Sequence, residues 1–273
     1  MAYNIGTVSP AAIAGMVFTL IISIGLPIVL CILVKKKLGA ALSSVLTGAA
    51  VFAVFVLGLE SVMHRFVLQS TAGAAITGNV WLYALYGGVA AAVFEELGRF
   101  VAMKWCMKNT LNRENAVMYG VGHGGLEAMF LIGSAYISNL AASAMINSGA
   151  LAAQLSALDA ATAEATLTQL APLWETAPGA FFLGGVERIS AIALHICLSY
   201  LVYRAVRYGE GRYFALALVL HFAVDAVTVV LNSFLSPVLL EVILLVAVGA
   251  IAVFTLRLYR AEASPASVDA EEE

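Results

Sequence analysis

The sequence carries very little charge: Asp, Glu, Lys and Arg make up only 11% of its 273 residues, whereas hydrophobic residues make up 62%. A soluble domain has about a quarter charged residues, so this composition excludes an ordinary soluble enzyme. The apolar residues run continuously instead of alternating, which disfavours an outer-membrane barrel. The chain is therefore predicted to be an integral membrane protein built from helices.

The chain has only three cysteines, and its N-terminal region contains no basic residue. Cys31, Cys106 and Cys197 lie in or beside apolar segments and show no metal-binding spacing. They are predicted to be buried or membrane-facing thiols rather than a disulfide framework. The first apolar run has no basic residue ahead of it, so we expect the first helix to be retained and not cleaved as a signal peptide.

Seven apolar runs are long enough to cross a bilayer, which takes roughly 20 residues at 1.5 Å each. They predict an all-α, polytopic membrane helical bundle with spans at residues 11–34, 40–61, 79–103, 115–141, 179–203, 213–233 and 237–258. We expect a single membrane domain over residues 1–260. An external loop is expected at 142–178, of which residues 150–170 are compatible with a surface helix. The acidic remainder, 261–273, is predicted to be a disordered cytoplasmic tail.

The basic residues lie mostly on one side of these spans. Eleven of the 14 Lys and Arg residues follow the first, third, fifth or seventh span, whereas Arg65 is on the other side. Because basic connections stay in the cytoplasm, the N-terminus is predicted to be outside and the C-terminus cytoplasmic. A multi-pass protein of the plasma membrane is therefore expected.

Ionisable residues inside the spans are few and costly. A charged side chain costs about 2.5 kcal/mol or more at mid-bilayer, so such residues usually face the bundle interior and serve a function. The alternative for any single one is a hydrogen bond that merely joins two helices. These residues are Glu95, Glu96, Arg99, His123, Glu127, Glu187, Arg188, His195, His221, Asp225 and Glu241.

Four of the spans place a carboxylate or an imidazole at one depth. The residues at this depth, each nine or ten positions from a basic residue of a cytoplasmic connection, are Glu95, His123, His195 and His221. At 1.5 Å per residue this depth is roughly 13–15 Å. Residues that only join pairs of helices would have no reason to share a level. We therefore predict a single polar chamber in the cytoplasmic half of the bilayer.

The spacing within each span agrees with such a chamber. Arg99 follows Glu95 and Glu96 by four and three residues, so the three side chains can share one helix face. Two further pairs have the i, i+4 spacing: His123 with Glu127, and His221 with Asp225. The glycines of GVGHGGLE permit close helix packing, or leave room for water and substrate, and close packing is the favoured interpretation.

Two adjacent acids, several imidazoles and an arginine are the groups that hydrolysis by an activated water requires. A buried carboxylate can act as the general base, and histidines can orient the water or stabilise the oxyanion. The same side chains could instead bind Zn²⁺. The HExxH motif of many zinc peptidases is absent, however, so the residues leave both mechanisms open.

Four motifs occur in order between Glu95 and Asp225. They are EExxR from Glu95 to Arg99, GHGGLE from Gly122 to Glu127, ERxxAxxxH from Glu187 to His195, and HxxxD from His221 to Asp225. Together they resemble the YhfC family, which is grouped with the PrsW and CPBP (CAAX-processing and bacteriocin-processing) intramembrane proteases. The resemblance implies peptide-bond hydrolysis within the membrane, by either a glutamic-type or a metal-dependent mechanism, with the glutamic type favoured.

The resemblance also implies roles for individual residues. Glu95 is expected to be the base, with Glu96 and Arg99 as its support, and His195 and His221 are expected to orient the water or stabilise the oxyanion. The other residues implied for the site are His123, Glu127 and Asp225, with Glu187 and Arg188 as supporting residues. Two departures from the CPBP pattern are the shorter spacing between the acids and the arginine, and a histidine plus a glutamate on the fourth span.

No cofactor is favoured, although zinc held by His123, His195, His221 or Glu127 is compatible with the sequence. The expected partners are a membrane protein or peptide substrate and the lipid bilayer, and no nucleic acid. The alternative function is a non-catalytic membrane scaffold or a proton-coupled transporter of the same fold. A transporter is disfavoured because the chain shows no obvious broken-helix pair or inverted repeat.

Overall fold

The computed structural model describes residues 4–262, which form helices joined by short connections. Seven helices in this part of the chain are long and apolar enough to cross a membrane, which confirms the predicted all-α fold. Numbered α1 to α7 in chain order, they are Pro10–Leu38, Leu42–Leu68, Val80–Cys106, Arg113–Asn147, Pro178–Tyr208, Gly211–Asn232 and Pro237–Glu262. Most extend several residues beyond the predicted spans, because apolar runs mark only the bilayer-crossing part of a longer helix.

Local sequence signals explain where these helices begin and end. The Asn79 side chain accepts hydrogen bonds from the backbone N–H groups of Trp81 and Leu82 and so caps the start of α3. Prolines begin α1, α5 and α7, where the missing N–H has no helical partner to lose. Gly39 and Gly209 follow α1 and α5 with φ of 72° and 69°, a left-handed conformation that favours glycine.

The helices form two compact units. The first contains the residues up to Leu26 together with Ala128–Ile189, and the second contains Pro27–Glu127 and the chain from Ser190 onward. The predicted single domain over 1–260 stays a prediction. The predicted tail lies outside the described residues, except for its first two, which end α7.

The first unit contains the segment that was expected to be an external loop. Its chain between α4 and α5 forms three short helices, Ala150–Ser156, Ala160–Leu170 and Pro172–Glu175. Leucines of these helices pack with Val8 and Met16 in one buried cluster. The Asn147 side chain holds the segment before α1 in place, because it forms hydrogen bonds of 2.9 Å with both the N–H and the C=O of Val8. The segment between α4 and α5 therefore forms helices that pack against other residues of the first unit.

The second unit is held together by very close contacts between helix backbones. A methyl group at Gly122 of α4 would lie 2.0 Å from the carbonyl oxygen of Val45 in α2. A methyl group at Gly48 of α2 would lie 2.2 Å from the carbonyl oxygen of Tyr119 in α4. No side chain fits at either position, so glycine is required for α2 and α4 to pack at this distance. This confirms close packing as the role of a glycine in the GVGHGGLE sequence.

Candidate active site

The centre of the candidate site is a triplet of buried charges on α3. Arg99 has no exposed surface, and its Nη1 donates to Glu96 Oε1 while its Nη2 donates to Glu95 Oε2 at 3.2 Å. The three residues face one side of the helix because they are three and four positions apart. One guanidinium thus compensates two carboxylates where water is scarce.

Arg99 also connects α3 to α5. Its Nη2 lies 2.5 Å from Nδ1 of His195, and His195 Nε2 forms an ion-pair contact with Glu127 Oε2 of α4. A guanidinium has only donors, so His195 Nδ1 must accept this hydrogen bond. The ring proton therefore belongs on Nε2, the nitrogen in contact with Glu127. Both nitrogens of His195 are engaged, and the orientation of the ring is fixed from two sides.

The other two histidines contact the two acids directly. His123 Nε2 of α4 lies 2.9 Å from Glu95 Oε2. His221 Nδ1 of α6 lies 2.7 Å from Glu96 Oε1, and its Nε2 lies 3.8 Å from Glu95 Oε1. The same Nε2 is 3.5 Å from Asp225 Oδ2. Helices α3 to α6 thus each contribute side chains to one polar network.

The structure brings eight of the ten predicted site residues into this network. They are Glu95, Glu96, Arg99, His123, Glu127, His195, His221 and Asp225. The remaining two, Glu187 and Arg188, belong to the first unit and pair with each other. Asp225 has the most exposed side chain of the network, at 35%. The catalytic roles of all ten stay predictions.

Sequence reasoning overlooked Glu60 and His64 on α2. Glu60 is 5% exposed, and it interacts electrostatically with Glu95, His221, Asp225 and Glu127. Its position at the end of the predicted second span made it look like a flanking residue. The signal that would have found it is the i, i+4 spacing of Glu60 and His64, which repeats that of the two His–acid pairs.

Irregular helix geometry accompanies the network. Within residues 4–262, three stretches of the spanning helices have π geometry: Phe52–Glu60, Ala102–Cys106 and Ala128–Gly133. Glu60 ends the first of them, and Glu127 directly precedes the third. Such widened turns occur frequently at functional sites because they redirect side chains.

A glycine of α4 positions His195. A methyl group at Gly124 would lie 2.9 Å from both Cβ and Cδ2 of His195, which is closer than real side chains approach. We expect Gly124→Ala to push this ring away from Arg99 and Glu127. The rate of a reaction catalysed at this site should then fall by roughly 10- to 100-fold in the purified protein.

The matched control for this substitution is Gly87→Ala. Gly87 lies on α3, and a methyl group there would have no atom within 4 Å. The control should keep normal turnover, and both variants should elute from a sizing column as the wild type does. Equal turnover of Gly124→Ala and Gly87→Ala would show that the position of His195 is unimportant.

A metal ion has a candidate donor set in this network. Glu95, His123 and His195 are all buried, and one donor atom from each lies within 4.8 Å of the others. Two imidazoles and a carboxylate suit zinc. The donors therefore fit the ion. The lone pair of His195 Nδ1 is engaged by Arg99, so a metal bound at that nitrogen would displace this hydrogen bond. Two of the predicted ligands, His123 and His195, belong to this set together with Glu95, and ligation by His221 or Glu127 stays a prediction.

Comparison with known proteins decides the family. The model of the family described as YhfC intramembrane metalloprotease matches residues 22–249. The chain belongs to the YhfC family. The YhfC match includes every residue of the polar network, and it confirms the family that the four motifs predict. The further link to the PrsW and CPBP families stays a prediction.

One relative in the YhfC family extends over most of the chain. The uncharacterized membrane protein YhfC of Bacillus subtilis (strain 168) is 36% identical over 224 residues, which is 81% of this chain and 86% of that protein. No solved structure matches the chain significantly. The family description and the seven apolar helices make this chain a multi-pass membrane protein of an intramembrane protease family.

Proposed function

We propose that this chain is an intramembrane endopeptidase in which Glu95 activates the water that attacks the peptide bond. The observation that carries the proposal is the placement of Glu95 midway along α3. Its Oε2 accepts from Arg99 Nη2 at 3.2 Å and contacts His123 Nε2 at 2.9 Å, while its Oε1 has its closest ion-pair contact, His221, at 3.8 Å. One oxygen of Glu95 is thus fixed, and the other is free for a water.

The bond changes follow from one base. Glu95 Oε1 removes a proton from the water while the water oxygen bonds to the carbonyl carbon of the peptide. Glu95 then gives that proton to the leaving nitrogen as the C–N bond breaks, so the carboxylate is regenerated. General-base assistance of this kind contributes about 10²–10⁴-fold to the rate.

His221 is the group best placed to support the reacting carbonyl. Its Nδ1 is held by Glu96 at 2.7 Å, so Nε2 is directed toward the region between Glu95 and Asp225. Protonated on both nitrogens, His221 donates from Nε2 to the oxygen on which negative charge develops. A donor fixed in advance in a water-poor site stabilises such charge strongly.

Arg99, Glu96 and Glu127 act as positioning residues. Arg99 donates to Glu95 and orients His195, which Glu127 contacts from the other side. Glu96 holds both Arg99 and His221. These contacts keep the reacting groups within the short range that a rapid reaction requires.

A zinc ion held by Glu95, His123 and His195 would supply an alternative way to acidify the attacking water. The favoured mechanism needs no such ion, because Arg99 engages His195 and Glu95 remains available as the base. The proposed substrate is a membrane protein or peptide in the plasma membrane. In the proposed orientation the N-terminus is outside the cell.

The proposal is tested by offering purified protein in vesicles a panel of membrane-spanning peptides in H₂¹⁸O, with and without 1,10-phenanthroline. We expect at least one peptide to be cut, one ¹⁸O to appear in the new C-terminal carboxyl group by mass spectrometry, and the chelator to leave the rate unchanged. Soluble peptides without an apolar segment serve as the control and should stay intact.

Two outcomes would contradict the proposal. Failure to cut any membrane peptide, with the protein still folded by circular dichroism, would reject the peptidase function. Loss of cleavage with the chelator, restored by added Zn²⁺ alone, would reject the metal-free mechanism and retain the peptidase.

A further inference from the structure

Glu60 of α2 is a buried carboxylate that is only half satisfied. Its Oε1 lies 3.1 Å from His64 Nε2. Its Oε2 is buried, and no donor from residues 4–262 reaches it. A carboxylate oxygen in this position costs free energy unless it has a polar partner, and a water molecule is the partner that such buried groups commonly take.

The stretch of α2 that ends at Glu60 packs against the catalytic network, because the ring centroids of Phe52 and His123 are 5.4 Å apart. Glu60 interacts electrostatically with Glu95 and with His221, Asp225 and Glu127, the residues around the proposed water-binding face. A buried water needs two to four polar partners, and this region offers several carboxylate oxygens. Glu60 can therefore share water with the site without touching Glu95.

The other side of Glu60 continues toward the protein surface. His64 Nδ1 lies 2.7 Å from the hydroxyl of Tyr86 on α3, and the His64 side chain is one-third exposed. The Tyr86 hydroxyl also donates to Met63 Sδ at 3.1 Å, so Tyr86, His64 and Glu60 form one connected set of polar groups. Polar groups thus connect the partly exposed His64 side chain, near the end of α2 farthest from Lys35–Lys37, to the buried acid.

Hydrolysis consumes one water in each turnover, so water must reach the catalytic network from outside the apolar bundle. We propose that Glu60, His64 and Tyr86 line the path by which water reaches the catalytic network from that end of α2. This inference rests on the proposed hydrolytic function for its purpose, but the path itself can be tested without any activity.

The first test measures water access directly. In a variant with Cys31, Cys106 and Cys197 replaced by Ser, single cysteines are placed at His64 and Tyr86. The controls are Val62→Cys and Leu59→Cys on the same stretch of α2, whose native side chains are 55% and 51% exposed apolar groups. A charged methanethiosulfonate reagent reacts with the thiolate, which forms only in contact with water.

The cysteines at 64 and 86 should react roughly tenfold faster than those at 59 and 62, because thiolate formation follows access to water. Rates at 64 and 86 no higher than the controls would overturn the path. This result is independent of cleavage, so it stands even if the peptidase function fails.

The second test measures turnover in the otherwise native chain. Glu60→Leu should lower kcat by about tenfold or more with KM little changed, because water supply and not substrate binding is affected. Glu60→Gln keeps a polar side chain that can accept from His64, and it should restore most of kcat. Normal kcat in Glu60→Leu, or an equal loss in Glu60→Gln, would overturn the role of a polar water path. Glu114→Leu, outside the network, is the control for removing an acid.

Discussion

Glu95→Gln is expected to lower kcat/KM for a cleaved membrane peptide by about 10²–10⁴-fold, the contribution of a general base. The fold should survive, because the amide oxygen can still accept from Arg99 and His123 in place of Oε2. The amide nitrogen then occupies the position of Oε1, where it cannot remove a proton from water. Initial rates of peptide cleavage, measured at several substrate concentrations, check this expectation.

Glu114→Gln is the matched control for that experiment. Glu114 is in the first turn of α4, where it pairs with Arg113 and accepts from Tyr259, away from the polar network. Its variant should cleave at the normal rate. If Glu95→Gln also retained normal cleavage, another group would have to be the base, and the mechanism proposed for this family member would be wrong.

Arg99→Met is expected to produce the largest loss of stability of any single change in the site, about 3–5 kcal/mol in the free energy of unfolding. Methionine is apolar and can fill much of the space, so the loss comes from charge. The substitution leaves the fully buried Glu96 and the nearly buried Glu95 without their common cation. Unfolding of the purified protein in mixed detergent–SDS micelles provides the measurement.

A second substitution separates charge from packing. Glu96→Gln combined with Arg99→Met removes one of the two uncompensated carboxylates, so the double variant should recover part of the lost stability. Arg99→Lys should be intermediate, because an ammonium keeps the charge but lacks the two-pronged geometry of the guanidinium. Stability of Arg99→Met within about 0.5 kcal/mol of the wild type, as for a surface change, would contradict this account.

The helical architecture was predictable because each span satisfies its own backbone hydrogen bonds and needs only an apolar sequence. The packing of residues 148–177 was not predictable in the same way. Its helices are short and weakly amphipathic, and they are held by distant residues such as Val8 and Met16. Contacts between parts of the chain far apart in sequence leave no periodic signal.

The candidate site was partly predictable for a similar reason. Polar residues are rare in apolar spans, so Glu95, His123 and His221 stood out, and counting along each helix indicated a shared level. Their pairing was not predictable, because rotation of each helix about its axis decides which atoms meet. Counting could not show that Arg99 reaches His195, or that Glu60 faces the same region.

The triplet of charges on α3 also bears on how the protein enters the membrane. Its helix has the lowest mean hydropathy of the seven, at 1.3. A lone charge near a helix centre costs about 2.5–3.5 kcal/mol during insertion. Arg99 meets Glu95 and Glu96 within a single helix, however, before α5 or α6 has been synthesised. During biogenesis α3 can therefore enter the bilayer with its charges already largely neutralised, and the histidines arrive later to an ordered acidic site.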